Sequence, residues 1–209
     1  MVNRILEFGD RLGPEVVGLF YYAGHGVAIE NKNWLVPIGG IARSRREAPA
    51  RMVGADFIMD QFEETGGGLN IMILDACRNN PFKRSFRSAS KGLAQVTAPT
   101  GTFISYATAP GSVASDGTGK NGLYTSKLIA NMNTPGLSIE SVFKRVRSDV
   151  QKESNGAQVP WDSSSLIGDF YFVPPDEKSE PATVATLTPQ LRFQRIPSRR
   201  GTLEGGSGF

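Results

Sequence analysis

Short apolar runs alternate along the chain with stretches in which apolar residues recur at helical spacing. Four runs rich in β-branched and aromatic residues predict strands, at residues 16–22, 69–74, 102–106 and 170–173. Three stretches predict helices, at residues 3–12, 53–62 and 138–150. Because strands and helices alternate, we expect an α/β fold with a mostly parallel sheet.

The last of the predicted helices has the clearest pattern. Its apolar face is formed by residues at helical spacing, namely Ile139, Val142, Phe143, Val146 and Val150. Ser138 stands where its side chain can cap the first turn. Glu140 is favourable in that turn, next to the positive end of the helix dipole.

Residues 174–209 differ in composition from the rest of the chain. They hold five of the 13 prolines and end in Gly-Gly-Ser-Gly-Phe. Such a segment buries too little apolar surface to fold, so we predict a disordered tail. The predicted domain therefore spans residues 1–173.

The composition argues against several classes of protein. Lys and Arg exceed Asp and Glu by 23 − 20 = 3 charges, which is too small an excess to indicate nucleic acid as a partner. The sequence has no run of about 18 apolar residues, so we expect no membrane-spanning helix. The first residues include acids and lack the apolar core of a signal peptide, so we expect a cytoplasmic protein.

The chain has one cysteine, Cys77, and one histidine, His25. This supply excludes an intramolecular disulfide framework and a structural zinc site. Each residue closely follows a predicted strand, and catalytic groups collect at the carboxyl ends of parallel strands. A nearby histidine can take the proton of a cysteine thiol and later give it to a leaving amine. The alternatives are a cysteine that is only a small buried residue and a histidine that only ends a strand.

Three segments around these residues resemble one family. FYYAGHG at 20–26, LDACRNNPF at 74–82 and SYATAPG at 105–111 are similar to motifs of the caspase-like cysteine peptidases, in particular the bacterial metacaspase (orthocaspase) branch. His25 precedes Cys77 by 77 − 25 = 52 residues, and in caspases the histidine lies about 50 residues upstream of a similar cysteine motif. The resemblance covers roughly residues 1–173.

The resemblance implies a caspase-haemoglobinase fold, in which helices cover both faces of the sheet in three α/β/α layers. It also implies peptide-bond hydrolysis through an acyl-enzyme, with Cys77 as the nucleophile and His25 as the general base and acid. The backbone N–H groups of Gly26 and Cys77 would form the oxyanion hole. This chemistry needs no metal or other cofactor. Some metacaspases respond to calcium, but the sequence contains no calcium loop of the EF-hand type.

The charge of the pocket for the P1 residue, which precedes the scissile bond, separates branches of the family. Animal caspases cleave after Asp and line this pocket with arginine, whereas metacaspases cleave after Arg or Lys and line it with acids. Asp75 stands at the position of a metacaspase pocket carboxylate, and Asp116 stands where a caspase has an arginine. The resemblance therefore implies cleavage after Arg or Lys. The alternatives are that Asp75 caps a turn and that Asp116 is a solvated loop residue.

The segment after Cys77 is basic and rich in serine. It contains no acid from residue 78 to 101, and its cations include Lys83, Arg84, Arg87 and Lys91. Such a loop is usually only solvated. In relatives of caspases the linker between the large and small subunits lies here, so an enzyme with a basic P1 preference could cut its own chain.

The resemblance also implies that the domain is incomplete at its N-terminus. A caspase-like domain begins with a strand, a helix and a second strand before the histidine strand, whereas only about fifteen residues precede Val16. In the family the first strand lies beside the histidine strand. Residues 16–22 are apolar on both faces, as in a central strand, so we expect an open sheet edge that pairs with another chain.

Three functions from different classes stay open at this point. The first is a cysteine endopeptidase that cleaves proteins or peptides after Arg or Lys. The second is a catalytically weak or inactive caspase-like interaction module, which the missing strands favour and the intact Cys77 and His25 oppose. The third is a hydrolase or transferase that acts on another bond, which an acidic pocket disfavours.

Overall fold

The computed structural model describes residues 1–40, 42, 44–64, 68–77, 93–109, 112 and 121–176 and, of Cys77, the backbone. This part of the chain contains six strands, β1 (Val17–Ile29), β2 (Lys32–Leu35), β3 (Val53–Gly54), β4 (Leu69–Cys77), β5 (Thr102–Tyr106) and β6 (Trp161–Ser164). It also contains five α-helices, α1 (Val2–Gly9), α2 (Ala48–Arg51), α3 (Ala55–Glu64), α4 (Leu123–Met132) and α5 (Ile139–Glu153). None of the described helices combines the length and the apolar character that crossing a bilayer requires. The predicted tail lies outside the described residues from position 177 onward.

The strands form one mixed sheet in the order β3-β2-β1-β4-β5-β6. Its centre is parallel, since β4 pairs with β1 on one side and with β5 on the other. The outer pairings are antiparallel. Between β1 and β2 the turn consists of Glu30 and Asn31, with φ of 51° and 64°. A two-residue turn with positive φ at both positions joins antiparallel strands, so β2 runs antiparallel to β1. The expected parallel pairing is therefore confined to the centre of a mixed sheet.

Helices cover both faces of the sheet because β4 directs apolar side chains to alternate sides. Met72 and Leu74 pack in one core with residues of α1 and α3. Ile71 and Ile73 pack in the other core with residues of α4 and α5. The expected three-layer α/β/α architecture is thereby confirmed.

Two predicted elements agree closely with the structure. β5 has the bounds that its apolar run predicts, and α5 begins at Ile139, directly after Ser138. The Ser138 hydroxyl oxygen accepts a hydrogen bond from the backbone N–H of Ser141 at 3.4 Å, which is the expected cap. The apolar face of α5 lies in the second core.

The first predicted strand and the second predicted helix have different bounds in the structure. β1 continues beyond residue 22 to Ile29, because its pairing with β4 runs to His25 and its pairing with β2 begins at Gly26. The helix predicted at 53–62 begins at Ala55, because the two residues before it pair with β2 as β3. The sequence pattern did not predict β2, β3, β6, α2 or α4.

The predicted closing strand at 170–173 is wrong. Tyr171 makes only an isolated bridge to Ser138, and the strand that pairs with β5 on its outer side is β6. The ring of Phe172 instead lies 6.5 Å from the ring of Phe143 on α5. The aromatic run therefore covers the second core, since the position next to β5 is already taken.

The N-terminal half of β1 is less covered than the sequence predicts. Residues 17–25 pair with β4 on one side, whereas β2 pairs with β1 only from Gly26 onward. Among the described strands, none pairs with the other edge of residues 17–24. On one face of this segment Val17, Leu19 and Tyr21 are 47%, 41% and 43% exposed. The expectation of a strand buried on both faces is therefore wrong.

Candidate active site

His25 and Cys77 lie opposite each other on neighbouring parallel strands. β1 and β4 are in register over nine residue pairs, from Val17 with Leu69 to His25 with Cys77. Adjacent strands are about 4.8 Å apart, so residues paired in this way are neighbours in space. The structure thus brings together the backbones of the single histidine and the single cysteine. His25 is exposed, and the side chain of Cys77 lies outside the described part of the chain.

The backbone carbonyl of His25 is held by two donors. It accepts a hydrogen bond from the N–H of Val36 at 2.9 Å, and the Tyr22 hydroxyl lies 2.7 Å from the same oxygen. That hydroxyl also lies 2.9 Å from the Val36 carbonyl, so its single proton can be donated to either oxygen. Burial raises the pKa of Tyr22, although both backbone hydrogen bonds oppose the rise. The phenol is therefore a protonated donor at neutral pH.

Gly24 makes room for this contact. A Cβ at residue 24 would lie 2.7 Å from the Tyr22 hydroxyl oxygen and 2.9 Å from the ring carbon that carries it. Any side chain here would displace the phenol from the His25 carbonyl. One glycine of the FYYAGHG motif is thus explained by packing.

Gly26 has no space for a side chain either. A Cβ at this position would lie 2.9 Å from Leu93 Cδ2 and 3.1 Å from Ala76 Cβ. Ala94, the residue after Leu93, forms two hydrogen bonds with the Asn33 side chain. Its backbone N–H donates to the Asn33 amide oxygen at 2.7 Å, and its carbonyl accepts from the Asn33 amide nitrogen at 2.8 Å. These two bonds hold the segment that contains Leu93 and Ala94 against the β1–β2 hairpin.

The backbone N–H of Gly26 is directed toward the β4 side of the sheet. Successive residues of a strand direct their backbone polar groups to opposite edges. The carbonyl of His25 accepts from Val36, which follows β2. The N–H of Gly26 is therefore directed to the other edge, where β4 ends at Cys77.

Asp75 is a buried carboxylate at the same end of the sheet. It is 8% exposed and pairs with Ala23 across the β1–β4 ladder. Strand residues advance about 3.3 Å each, so Asp75 and Cys77 are about 7 Å apart along β4. Because Asp75 lies within a strand, it does not cap a turn. Its Oδ2 accepts a hydrogen bond from the hydroxyl of Thr125 on α4.

A second hydroxyl extends the contact between Thr125 and Asp75. The Tyr21 hydroxyl oxygen lies 2.7 Å from Thr125 Oγ1. Thr125 has one hydroxyl proton and an ionised carboxylate only accepts, so Thr125 donates to Asp75 and Tyr21 donates to Thr125. Burial raises the pKa of Tyr21, the negative charge of Asp75 adds to the rise, and the hydrogen bond with Thr125 opposes it. Tyr21 is therefore a neutral donor at neutral pH.

Thr125 is positioned by the docking of α4 on the sheet and on α5. The preceding residue, Tyr124, is fully buried, and its hydroxyl lies 2.7 Å from Ser105 Oγ on β5. Farther along α4, the Asn131 side chain donates to the Asp149 carboxylate on α5 at 2.9 Å. The buried ring of Tyr124 holds the first turn of α4 on the sheet, and the hydrogen bond from Asn131 holds its last turn on α5.

Some predicted site features lie outside the described residues, and some observed ones were not predicted. Asp116 and the basic segment with Lys83, Arg84, Arg87 and Lys91 are outside the described ranges. The sequence pattern gives no predicted role to Tyr21 or Thr125. Tyr21 stands in the FYYAGHG motif, four residues before His25, and that position was a usable signal. Thr125 has no such signal, because its contact depends on how α4 docks.

Comparisons with known proteins relate this arrangement to a family. The family model of the peptidase C14 caspase domain matches residues 7–171. Part of the chain is also similar to mucosa-associated lymphoid tissue lymphoma translocation protein 1 of Homo sapiens and to its homolog of Mus musculus, with 35% identity over 78 residues in each case. Each of these matches covers 37% of this chain and 9% of the relative. Since the family model spans most of the chain, including both His25 and Cys77, the protein belongs to the peptidase C14 family and residues 7–171 form its caspase domain.

Proposed function

We propose that the protein is a cysteine endopeptidase that hydrolyses peptide bonds after Arg or Lys. The observation that carries this proposal is the in-register pairing of His25 with Cys77 at the end of the parallel β1–β4 ladder. Membership of the peptidase C14 family supports the hydrolase class. The Cys–His dyad is inferred from the placement of the two residues and from the sequence resemblance, and the basic specificity is inferred from the resemblance at Asp75 and Asp116.

In the proposed reaction His25 takes the proton of the Cys77 thiol, and the thiolate attacks the carbonyl carbon of the scissile bond. The carbonyl oxygen becomes an oxyanion, which accepts hydrogen bonds from the backbone N–H groups of Gly26 and Cys77. The C–N bond breaks as protonated His25 gives its proton to the leaving amine, and an S-acyl enzyme remains. His25 then takes a proton from water, whose oxygen attacks the thioester. The C–S bond breaks, the carboxylic acid leaves, and the proton returns to Cys77 sulfur.

The surroundings of His25 support its assignment as the general base. The donors from Val36 and Tyr22 fix the backbone from which the imidazole extends. The exposure of His25 leaves the imidazole accessible to a peptide substrate. A general base must reach the proton that it takes, and a fixed backbone with an accessible imidazole supports that role.

The burial of Asp75 supports the preference for a basic P1 residue. A carboxylate in a largely desolvated pocket binds a guanidinium or an ammonium through charge-assisted hydrogen bonds. The same carboxylate disfavours a P1 aspartate, because juxtaposed like charges cost several kcal/mol. We assign Asp116 as the second acid of this pocket from the resemblance of its sequence position.

A fluorogenic peptide panel tests the proposed function. Peptides that differ only in a P1 Arg, Lys or Asp are incubated with the wild-type chain and with Cys77→Ala, with and without calcium. We expect Arg and Lys peptides to be cleaved only by the chain that retains Cys77. Preferential cleavage after Asp, or the absence of cysteine-dependent cleavage in every arm, contradicts the proposal.

The location, cofactor requirement and branch of the protein are parts of the same proposal. A reducing compartment keeps a nucleophilic thiol free of disulfides, so we propose a cytoplasmic location. We propose protein or peptide substrates, no nucleic-acid or membrane partner, and chemistry without a cofactor. The calcium arm of the panel shows whether calcium activates the domain. Assignment to the bacterial metacaspase branch follows from the sequence resemblance.

One observation favours a second candidate function, a catalytically weak caspase-like interaction module. The open edge of β1 and the exposed Val17, Leu19 and Tyr21 provide a surface to which another chain can add a strand. The pairing of His25 with Cys77 favours the enzyme over this candidate, because a binding module has no need of it. The two candidates differ in whether the panel detects cysteine-dependent turnover.

For either candidate we propose that the partner at this edge is a second copy of the chain. Residues 16–24 contain no charged residue and no proline, so the edge lacks the features that prevent strand pairing. Antiparallel pairing about a two-fold axis at Leu19 sets Leu19 against its own copy and Val17 against Tyr21. The facing side chains are apolar or aromatic, so the edge is complementary to itself.

Size-exclusion chromatography with light scattering is expected to show a dimer for the wild-type chain. Leu19→Lys places two like charges face to face at the two-fold axis and is expected to give a monomer. Ile129→Lys is the matched control, because Ile129 is also an exposed apolar residue, 46% exposed, but lies on α4. A monomeric wild type, or dissociation by both variants alike, contradicts pairing at β1.

A further inference from the structure

We propose that the hydroxyls of Tyr21 and Thr125 orient the Asp75 carboxylate and so make the pocket selective for a guanidinium over an ammonium. Thr125 donates to Asp75 Oδ2, and Tyr21 donates to Thr125 across 2.7 Å. The inference rests on the proposed function in one respect, the assignment of Asp75 to the P1 pocket. Tyr21 and Thr125 are positioning residues, because they act through the carboxylate.

Orientation matters for Asp75 because the torsion that sets the plane of an aspartate carboxylate is soft. Its energy wells are broad, so a carboxylate without a fixed oxygen samples a range of planes. A hydrogen bond from Thr125 to Oδ2 selects one of them. Burial strengthens this bond, since the local dielectric is lower than that of water.

The two basic side chains differ in how much they depend on that plane. A guanidinium is a planar fork that forms two parallel hydrogen bonds with a coplanar carboxylate. An ammonium is a compact point charge with three rotatable donors, and it tolerates many carboxylate orientations. If the carboxylate plane is no longer fixed, binding of a P1 Arg should therefore weaken strongly and binding of a P1 Lys only slightly.

The three groups come from three different elements, which makes the arrangement rigid. Tyr21 lies on β1, Asp75 lies on β4, and the ladder fixes these strands relative to each other in register. Thr125 lies on α4, which is anchored by the buried ring of Tyr124 in the second core and by the hydrogen bond from Asn131 to α5. Tyr21 is also on the strand that carries His25, so the pocket carboxylate is tied to the strand of the general base.

The chain offers a matched control on the same helix. Tyr124 and Ser105 form a second hydroxyl pair at 2.7 Å, and Tyr124 directly precedes Thr125. Burial raises the pKa of Tyr124 far above its usual value, so this phenol is also neutral. Tyr124→Phe and Tyr21→Phe therefore remove the same group from pairs of equal length, but only Tyr21 is bonded to Thr125.

Steady-state kinetics with paired P1 Arg and P1 Lys peptides form the first test. Thr125→Val is expected to lower kcat/KM for the Arg peptide about tenfold, mainly through KM, and to change the Lys value less than about threefold. Tyr21→Phe is expected to act in the same direction with a smaller effect, and Thr125→Ser is expected to retain the wild-type ratio. Tyr124→Phe should leave the Arg-to-Lys ratio unchanged. A wild-type ratio in Thr125→Val, or an equal change in Tyr124→Phe, overturns the inference.

Calorimetric binding of agmatine and cadaverine separates the inference from the proposed function. Both probes have an ammonium at one end and differ at the other, which is a guanidinium in agmatine and an ammonium in cadaverine. Neither has a peptide bond, so binding needs no catalysis. We expect the wild-type chain to bind agmatine more tightly and Thr125→Val to lose that preference. Agmatine preference without peptide cleavage would overturn the proposed function and leave the inference standing. Equal affinities for the two probes in the wild type overturn the inference, whatever the rate of cleavage.

Discussion

Replacement of Cys77 by alanine is expected to abolish peptide hydrolysis, and replacement of His25 by alanine is expected to lower it to nearly the same level. The nucleophile and its base act as a unit, so the loss of either one removes the covalent pathway. We expect kcat to fall by at least about a thousandfold in each variant and no further in the double variant. Initial rates with a P1 Arg peptide measure the effect.

The same experiment contains its own structural control. His25 is exposed and its carbonyl, rather than its side chain, accepts from Tyr22 and Val36, so His25→Ala should retain these bonds. Both variants are expected to melt within a few degrees of the wild type. Ser126→Ala removes an exposed hydroxyl of α4 and should leave the rate unchanged. Hydrolysis by Cys77→Ala at the wild-type rate contradicts the dyad.

Asp75→Asn is expected to remove most of the preference for a basic P1 residue while the fold is retained. The amide has the shape of the carboxylate, and its oxygen can still accept from Thr125. Loss of the charge removes a hydrogen bond to a charged partner, which is worth about 1.5–3 kcal/mol. We therefore expect kcat/KM for P1 Arg and P1 Lys peptides to fall roughly ten- to a hundredfold.

A P1 Gln peptide and a second carboxylate serve as controls for Asp75→Asn. A neutral P1 side chain does not depend on the charge, so its kcat/KM should change little. Asp149→Asn makes the same substitution on α5, where the carboxylate accepts from Asn131, and should leave P1 preference unchanged.

Asp116→Asn should narrow the preference for basic residues as well, by about 1–3 kcal/mol. Equal losses for Arg, Lys and Gln peptides in Asp75→Asn would contradict a role for Asp75 in the pocket.

The hydrophobic pattern of the sequence predicts those strands and helices whose buried positions are all apolar. β5 is buried at all five positions and α5 buries one full face, so their apolar patterns predict their positions closely. The hydrophobic pattern does not predict a strand that forms only because a neighbouring strand has an unpaired edge. The polar run Trp161–Ser164 becomes β6 because β5 has a free edge, while the aromatic run at 170–173 packs on α5 instead.

In the candidate site, too, one contact could be predicted from the sequence and another could not. The pairing of His25 with Cys77 could be predicted, because two neighbouring parallel strands place residues that follow their apolar runs at one end of the sheet. The partner of Asp75 could not be predicted. Thr125 is 50 residues away on a helix whose pattern gave no prediction, and only the docking of α4 brings its hydroxyl to the carboxylate.

Covalent labelling by a peptidyl chloromethyl ketone with a P1 Arg tests the central claim most directly, because the reagent needs both the nucleophile and the pocket. The chain contains a single cysteine, so peptide mapping by mass spectrometry identifies the labelled residue without ambiguity. We predict one adduct per chain on Cys77, rapid with P1 Arg, negligible with P1 Asp and strongly slowed in His25→Ala. Labelling at another residue, or equal rates with P1 Arg and P1 Asp, would contradict the claim that Cys77 and His25 form a cysteine peptidase site with an acidic pocket.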